Sequence, residues 1–573
     1  MEKKPGILSL LKPYRGLVLL LLLFTLLGNG INLLLPKIIA KSIDAFGAGH
    51  YDMKPVAVEF CVAVVAIFLF TYLQSIIQTY ASEKVARDLR TRLAGKISQQ
   101  SHAFIEKANP AKLLTNLTAD VDSIKMFVSQ AIVSIVSSIF IIVGVSVLLL
   151  TINWALALCV IAIIPIIGIT FFLVLRKVRA LFVESRAVID WLNRVINESI
   201  MGAALIRVVN SQTLEYNKFL DANTKAKGFG LQILKLFAGL IPVISFSANL
   251  ATLTILVLGG HFVITGSMTM GNFAAFTSYL TMLIFPILII GFMSNVIAQA
   301  SASFGRITAI LETPELTDPG TITAELQGKI DLKNITIKYG QKPVLKDVSI
   351  SIKPGERTAI IGPTAAGKTQ LLYLLTGLVK QNEGELCYDD HHIDEYHRES
   401  FYNQVGFVFQ DSIIFNMSIR ENIAFSDTVT DDSLSKAIHT AELHDFVENL
   451  PDKLNTIVSE RGSSLSGGQK QRIMLARALA VNPRILLLDD FTARVDAGTE
   501  KKILQNIRQN YPGITLISIT QKIAAVEDYD QIILLMEGEV IGHGKHPELM
   551  STSPEYVQLY NSQQSTSNYE LQS

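Results

Sequence analysis

The stretch Thr358-Ala-Ile-Ile361-Gly362-Pro363-Thr364-Ala365-Ala366-Gly367-Lys368-Thr369-Gln370, running into the apolar segment Leu371–Leu378, decides how the second half of the chain folds. A short apolar strand, then G-x-x-x-x-G-K-T, then an apolar helical run is the context that distinguishes a phosphate-binding loop from a chance match. The backbone N–H groups of such a loop, with those of the helix start, cradle phosphate oxygens. Lys368 supplies a point charge toward the β- and γ-phosphates, and the Thr369 hydroxyl is a ligand for Mg²⁺.

Reading outward, a second apolar strand, Ile485–Leu488, ends in Asp489, whose carboxylate is expected to hold Mg²⁺ from the next strand of the sheet. Between the two strands lies Leu465-Ser466-Gly467-Gly468-Gln469. A serine and two glycines at a helix start form another anion site. One chain does not need that site for its own nucleotide; it makes sense if it closes over a nucleotide held by a second copy or a partner.

The other half of the chain has a different character. Of 573 residues, 49% are hydrophobic and only 17% charged, where a soluble domain carries roughly a quarter charged. That excludes a disordered or purely soluble protein. The net charge is zero, which points to neither nucleic acid nor an acidic partner. Residues 1–325 nevertheless hold 26 basic and 18 acidic residues and residues 326–573 hold 24 and 32, so two kinds of domain meet near residue 325. Cys61, Cys159 and Cys387 are far apart, and no disulfide framework or zinc site is expected.

Six stretches reach the ~20 apolar residues that a membrane-spanning helix needs: 17–35, 55–80, 127–151, 154–175, 236–264 and 273–297. The first follows Lys3, Lys4, Lys12 and Arg15 and imitates a signal peptide, but it lacks a small-x-small cleavage site and is long enough to span. Ser9–Arg15 before it is expected along the membrane surface. The connections after spans two and four are strongly basic, from Lys84 to Lys125 and from Arg176 to Lys235, whereas Ile152–Asn153 and Gly266–Asn272 carry no charge. Both termini and both long connections therefore face the cytoplasm. Apolar residues at helical spacing, such as Val85, Leu89, Leu93 and Ile97, extend the membrane helices into the cytoplasm, with tips expected near Asn109–Thr118 and Gly202–Val209. Few ionisable groups lie within the spans, which favours an apolar or amphipathic substrate over a small ion. Asn29, Asn32, Gln74, Gln78, Asn249 and Asn295 read as helix-packing contacts. His391, His392 and His397, among Asp389, Asp390, Asp394 and Glu395, read as a solvated connection rather than a metal site.

Taken together, these motifs resemble the ATP-binding cassette exporter family, half-transporter type, over essentially the whole length. The resemblance adds Gln410 in Val408-Phe-Gln-Asp411 as the Gln loop, Asp496 at the end of the D-loop, and Tyr339 as the aromatic residue that stacks on adenine. It matches Asn116–Asp122 and Gly202–Glu215 to the two cytoplasmic tips, the coupling helices. It implies a six-span α-helical transmembrane domain (1–310) with long cytoplasmic extensions and an α/β phosphate-loop nucleotide-binding domain (329–562); by composition, the Pro/Thr-rich stretch within 311–328 reads as a linker and the Ser/Gln-rich residues 563–573 as a disordered tail. It also implies a dimer with two ATP molecules sandwiched between facing nucleotide domains, each touching the phosphate loop of one chain and the Leu465–Gln469 signature of the other. In this chain ATP is expected at Tyr339, Gly362–Thr369 and Gln370, and Mg²⁺ at Thr369, Gln410 and Asp489.

Three positions depart from the family pattern. Asp490 stands where a general-base Glu is usual, and losing a methylene withdraws the carboxylate by ~1.5 Å, a carbon–carbon bond length. Gln521 replaces the switch His, and a neutral amide cannot become cationic as charge develops on a γ-phosphate. Ala365 takes a position usually Gly, a source of strain if that position needs positive φ. With an intact signature, this pattern resembles the degenerate subunit of a heterodimeric exporter, whose partner carries the intact Glu and His. A homodimer exporting lipid or peptide, and an ATP-gated regulatory or channel-like subunit, are the alternatives.

Overall fold

The computed structural model describes residues 6–49, 52–315, 320–340, 342–458, 462, 464–491 and 493–570, the side chains of 565–570 excepted. The chain divides into two compact units, Met1–Gln99 with Ala108–Pro314, and Gln100–Lys107 with Glu315–Ser573. Part of the expected linker, residues 316–319, lies outside the described residues.

In the first unit, six helices are long and apolar enough to cross a membrane: Ile7–Gly47, Met53–Ser98, Pro110–Ile152, Trp154–Met201, Gln212–Ile264 and Met270–Leu311. Each contains one of the six apolar stretches and runs beyond it. Local chemistry sets their starts. Asn153, extended at φ −154°, caps the fourth by accepting from the Leu156 amide, and Thr269 caps the sixth through the Asn272 amide. The first and sixth helices meet backbone to backbone, since a Cβ on Gly271 would fall 2.0 Å from the Ala40 carbonyl oxygen. The Gly271 amide donates to Asp44 there (2.7 Å), and buried Tyr279 donates to the Leu33 carbonyl (2.9 Å). Asn29 donates to Ser137 and Gln78 to the Ser129 carbonyl, so these two amides do join neighbouring helices.

The first tip is not where the sequence placed it. The second span ends at Ser98, a short helix covers His102–Ala108, and Asn109 (φ 64°) begins the third span by accepting from the Ala111 amide. Asn109-Pro110 is a helix-start signal, because proline lacks the N–H that only a first-turn residue can do without. Asn116–Asp122 therefore lies inside the third long helix, with one π turn at Asn116–Asp120. Asp120 is tied there to Ser303 (2.9 Å) and Arg306 (Nε 2.9 Å) of the sixth helix. The second tip falls as expected, as a helix Ala203–Val208 between Gly202 and Asn210.

The second unit holds two sheets. An antiparallel one, in the order β2-β1-β4-β5, contains β1 (Ile330–Tyr339), β2 (Lys342–Ile352), β4 (Glu383–Tyr388) and β5 (His391–His392). A larger one, in the order β10-β9-β3-β8-β7-β6, contains β3 (Arg357–Ile361), β6 (Val405–Val408), β7 (Ile485–Asp489), β8 (Thr515–Ile519), β9 (Gln531–Met536) and β10 (Glu539–Gly544). Five of its strands are parallel and only the edge strand β10 is antiparallel. β7 and β8 are buried at every position and β3 at all but its first, as expected of parallel strands covered on both faces. One expectation fails here. β7 is not beside β3, because β8 lies between them. Of the segment expected as a disordered tail, residues 563–570 are helical, within Pro554–Glu570, and residues 571–573 lie outside the described residues. Tyr556 anchors that helix, fully buried and bonded to His546 (2.7 Å).

Candidate functional site

Three strand ends converge at the carboxyl edge of the large sheet, where parallel α/β sheets hold their ligands. β3 delivers the loop Gly362–Thr369, β7 delivers Asp489 and Asp490, and β8 delivers Gln521. The intervening β8 does not separate the first two groups, since the helix Lys368–Leu375 brings the Thr369 hydroxyl to 3.4 Å from Asp489 Oδ1.

Glycine is required in the loop where the backbone crowds its neighbours. A Cβ at Gly362 would lie 2.0 Å from the Leu535 carbonyl oxygen, and one at Gly367, where φ is +98°, would lie 2.9 Å from the Val344 carbonyl oxygen. Ala365 adopts φ 65°, so the departure noticed in the sequence does sit in the left-handed region. Pro363, Thr364 and Ala365 are exposed, while Ala366 and Lys368 are buried. Lys368 Nζ donates to the Gly362 (2.7 Å) and Pro363 (2.8 Å) carbonyls. Burial pushes its pKa down, against the opposing charges of Asp490 and Asp489.

Asp489 is almost fully buried, and its Oδ2 has no hydrogen-bond partner. Burial raises its pKa and the neighbouring Asp490 charge adds to that, outweighing Thr369 and Lys368. A buried carboxylate oxygen left unpaired beside a threonine hydroxyl is a hard-oxygen donor set, and it fits Mg²⁺. Asp490 sits at φ 47°, its amide donating to the Ile519 carbonyl (3.1 Å). Its carboxyl is likewise raised by burial, with Lys368 and Lys522 pulling the other way. Gln521 is exposed, as is Gln410 two residues beyond β6. At the end of β1, half-exposed Tyr339 donates to Gln370 Oε1 (2.8 Å), so the expected adenine platform is linked to the phosphate-loop helix. On that same helix the Tyr373 ring meets His102 edge-on, with centroids 5.6 Å apart.

The signature segment is built as a helix start. Ser466 Oγ accepts from the Gln469 amide (3.2 Å) and Gln469 Oε1 from the Ser466 amide (2.8 Å), a reciprocal capping box on the helix Gly467–Ala480. A Cβ on Gly468 would lie 2.8 Å from the Arg494 carbonyl, and one on Gly467 2.9 Å from the Arg494 side chain. Leu465 precedes this cap, packed against the domain core. Asp496 caps the following helix Ala497–Asn510 through the Thr499 amide (2.9 Å), which holds its carboxyl below the usual range. Among the described residues no hydrogen bond joins Leu465–Gln469 to Gly362–Thr369.

Two contributors were not picked out from sequence. Arg477, on the signature helix, donates to the carbonyls of Ile413 (3.0 Å) and Asn422 (2.6 Å) and lies over the Phe415 and Phe425 rings. Burial lowers its pKa to about 10, and it ties the signature helix to the segment after Gln410. Gln563 bonds to the backbone on either side of the loop after β8. Neither has a spacing signal, because both act on residues distant in sequence.

A helical unit with six membrane-length helices, followed by an α/β unit with a phosphate loop, defines a membrane protein with a nucleotide-binding domain. Residues 18–287 match the model of the ABC transporter transmembrane region and residues 345–493 that of the ABC transporter. The chain is 33% identical over 563 residues to the "Uncharacterized ABC transporter ATP-binding protein YfiB" of Bacillus subtilis (strain 168), covering 97% of this chain and 98% of that one. It is 29% identical over 506 residues to the "ATP-dependent lipid A-core flippase" of Syntrophus aciditrophicus (strain SB), covering 87% and 84%. The "Multidrug resistance-like ATP-binding protein MdlA" of Escherichia coli (strain K12) is 29% identical over 565 residues, covering 96% and 94%. A solved structure described as "a bacterial Atm1-family ABC exporter with ATP bound" shares the fold at TM-score 0.77 and 24% identity, over 96% of this chain and 98% of that one. This chain belongs to the ABC transporter family. It is a multi-pass membrane protein with a cytoplasmic nucleotide-binding domain.

Proposed function

We propose that the chain is one half of an ATP-driven exporter of hydrophobic or amphipathic compounds in the cytoplasmic membrane, and that its own nucleotide site retains ATP and hydrolyses it slowly. The observation that carries this is the make-up of the three strand ends. The phosphate loop and the Asp489–Thr369 pair are complete, yet the neighbouring carboxylate belongs to the shorter Asp490 and the switch position holds the neutral Gln521. Displacement of a catalytic group by an ångström can cost roughly a hundredfold in rate.

In this reading Tyr339, Gly362–Thr369 and Gln370 hold ATP, while Thr369, Asp489 and Gln410 hold Mg²⁺, which neutralises phosphate charge when bound. Asp490 and Gln521 face the γ-phosphate. Ser466, Gly467 and Gly468 present a capped helix start to the ATP of a partner subunit, a different half-transporter with intact Glu and His. The exposed apolar tip Ala203–Val208, with Val208 84% exposed, suits docking on that partner. The names of the lipid A-core flippase and the multidrug resistance-like relatives support a lipid-like or multidrug substrate class.

ATPase assays of the purified chain, alone and co-purified with such a partner, test the reading. Slow turnover alone and fast turnover together are expected. Vigorous turnover alone would overturn the division of labour in favour of a homodimer. Uptake of a fluorescent apolar dye into inside-out vesicles should require hydrolysis; conduction supported by a non-hydrolysable analogue would show an ATP-gated channel instead.

A further inference from the structure

We infer that Gln563, on the C-terminal helix, is a positioning residue that holds Gln521 toward the γ-phosphate. The inference rests on the reading of Gln521 given above. Gln563 Nε2 donates to the Gln521 carbonyl (2.6 Å), and Gln563 Oε1 accepts from the Ile523 amide (3.0 Å). One planar amide thus bridges the peptide group leaving Gln521 and the one entering Ile523, with its donor and acceptor in fixed relation.

Both sides of this bridge are anchored. Ile523 is buried, and the Lys522 amide between them donates to Thr520 Oγ1 (3.0 Å). The C-terminal helix is held by fully buried Tyr556 and by Leu559 and Tyr560, which pack against the domain core. The Gln521 side chain is exposed and has no hydrogen bond of its own among the described residues, so its aim depends on its backbone. A cationic side chain at this position would be drawn to phosphate over a distance. A neutral amide gains its hydrogen bond only when correctly placed, which makes fixed backbone matter more here.

The experiment measures affinities of the full-length chain in nanodiscs for the β,γ-imido analogue of ATP and for ADP, both with Mg²⁺. ADP lacks the γ-phosphate and reports on the rest of the site. Gln521→Ala and Gln563→Met, the latter similar in length but without the amide, should each weaken the ATP analogue about three- to tenfold and leave ADP nearly unchanged. Gln563→Glu adds a signature that a merely structural role would not produce. Its protonated carboxyl reproduces the donor–acceptor pair, whereas its ionised form sets an acceptor against the Gln521 carbonyl. The preference of this variant for the ATP analogue, relative to wild type at the same pH, should therefore fall as pH rises through the carboxyl titration. If Gln521→Ala lowers the preference and Gln563→Met does not, the positioning role is overturned. If Gln521→Ala has no effect, the γ-phosphate reading of Gln521 fails, and the inference fails with it.

Discussion

Replacing Asp489 by Asn should make the protein more stable than wild type without nucleotide and less stable than wild type with Mg²⁺ and nucleotide. Without nucleotide and metal, Asp489 is a liability. Its Oδ2 is buried and unpaired, Asp490 repels it, and its pKa is raised by burial first and by that repulsion second. An unsatisfied buried polar group costs about 1–3 kcal/mol, more if charged. Asn keeps an acceptor for the Thr369 hydroxyl and removes the charge, but it leaves an unpaired amide where Oδ2 was, so a net gain of about 1 kcal/mol is expected. In a domain of 150–250 residues that corresponds to roughly 2–4 °C in Tm. The sign with pH follows. A carboxyl whose folded pKa lies above its unfolded value contributes stability below the unfolded pKa and loses it as pH rises through the folded pKa. Wild type in EDTA should therefore lose stability as pH climbs from about 4 through the raised pKa values of Asp489 and Asp490, and the Asn variant should lose less. With Mg²⁺ and the imido analogue at a hundred times the dissociation constant, wild type should gain about 2.7 kcal/mol. The Asn variant, short of one metal ligand, should gain much less. Thermal unfolding of the full chain in EDTA and in Mg²⁺-nucleotide reads all four states. A variant less stable than wild type in EDTA, or equally stabilised by Mg²⁺-nucleotide, would refute the reasoning.

Ala365→Gly should relieve the positive φ of 65° and stabilise the protein by roughly 0.5–1 kcal/mol after the entropy of the added glycine is counted, visible as a higher Tm without nucleotide. An unchanged or lower Tm would show that Ala365 is unstrained. In the assembled pair, Ser466→Arg should nearly abolish ATPase while Asp490→Asn reduces it only modestly; the opposite ranking would mean the two sites are assigned the wrong way round. Restoring Asp490→Glu together with Gln521→His should raise hydrolysis at the chain's own site by roughly tenfold or more, measured with the partner's site inactivated. Gly468→Ala should slow the partner's site without affecting ATP binding to this chain, because its Cβ would meet the Arg494 carbonyl at 2.8 Å and push the helix start aside.

Much of the molecule was legible because the chemistry is local. Six apolar stretches of spanning length and a phosphate loop between an apolar strand and helix need no knowledge of the fold. The departures at Ala365, Asp490 and Gln521 could also be read residue by residue. The first tip, expected near Asn109–Thr118, lies before Asn109 instead, because the Asn109 cap and Pro110 start the next helix. Two near-continuous apolar strands looked like neighbours, and nothing in their sequences records that β8 enters between them.

The sequence by itself determined a membrane half joined to a nucleotide-binding half, the phosphate-loop and signature motifs, and the departures at Asp490 and Gln521, since each depends on residue type and short spacing. Only the tertiary structure decided that β3, β8 and β7 bring Lys368, Gln521 and Asp489 to one edge. It also left Asp489 Oδ2 buried without a partner and drew Gln563, from a Ser/Gln-rich segment expected to be disordered, onto the backbone of the Gln521 loop. Strand order and the docking of a terminal helix are set by long-range burial, to which many distant residues contribute a little each, so no local pattern carries them.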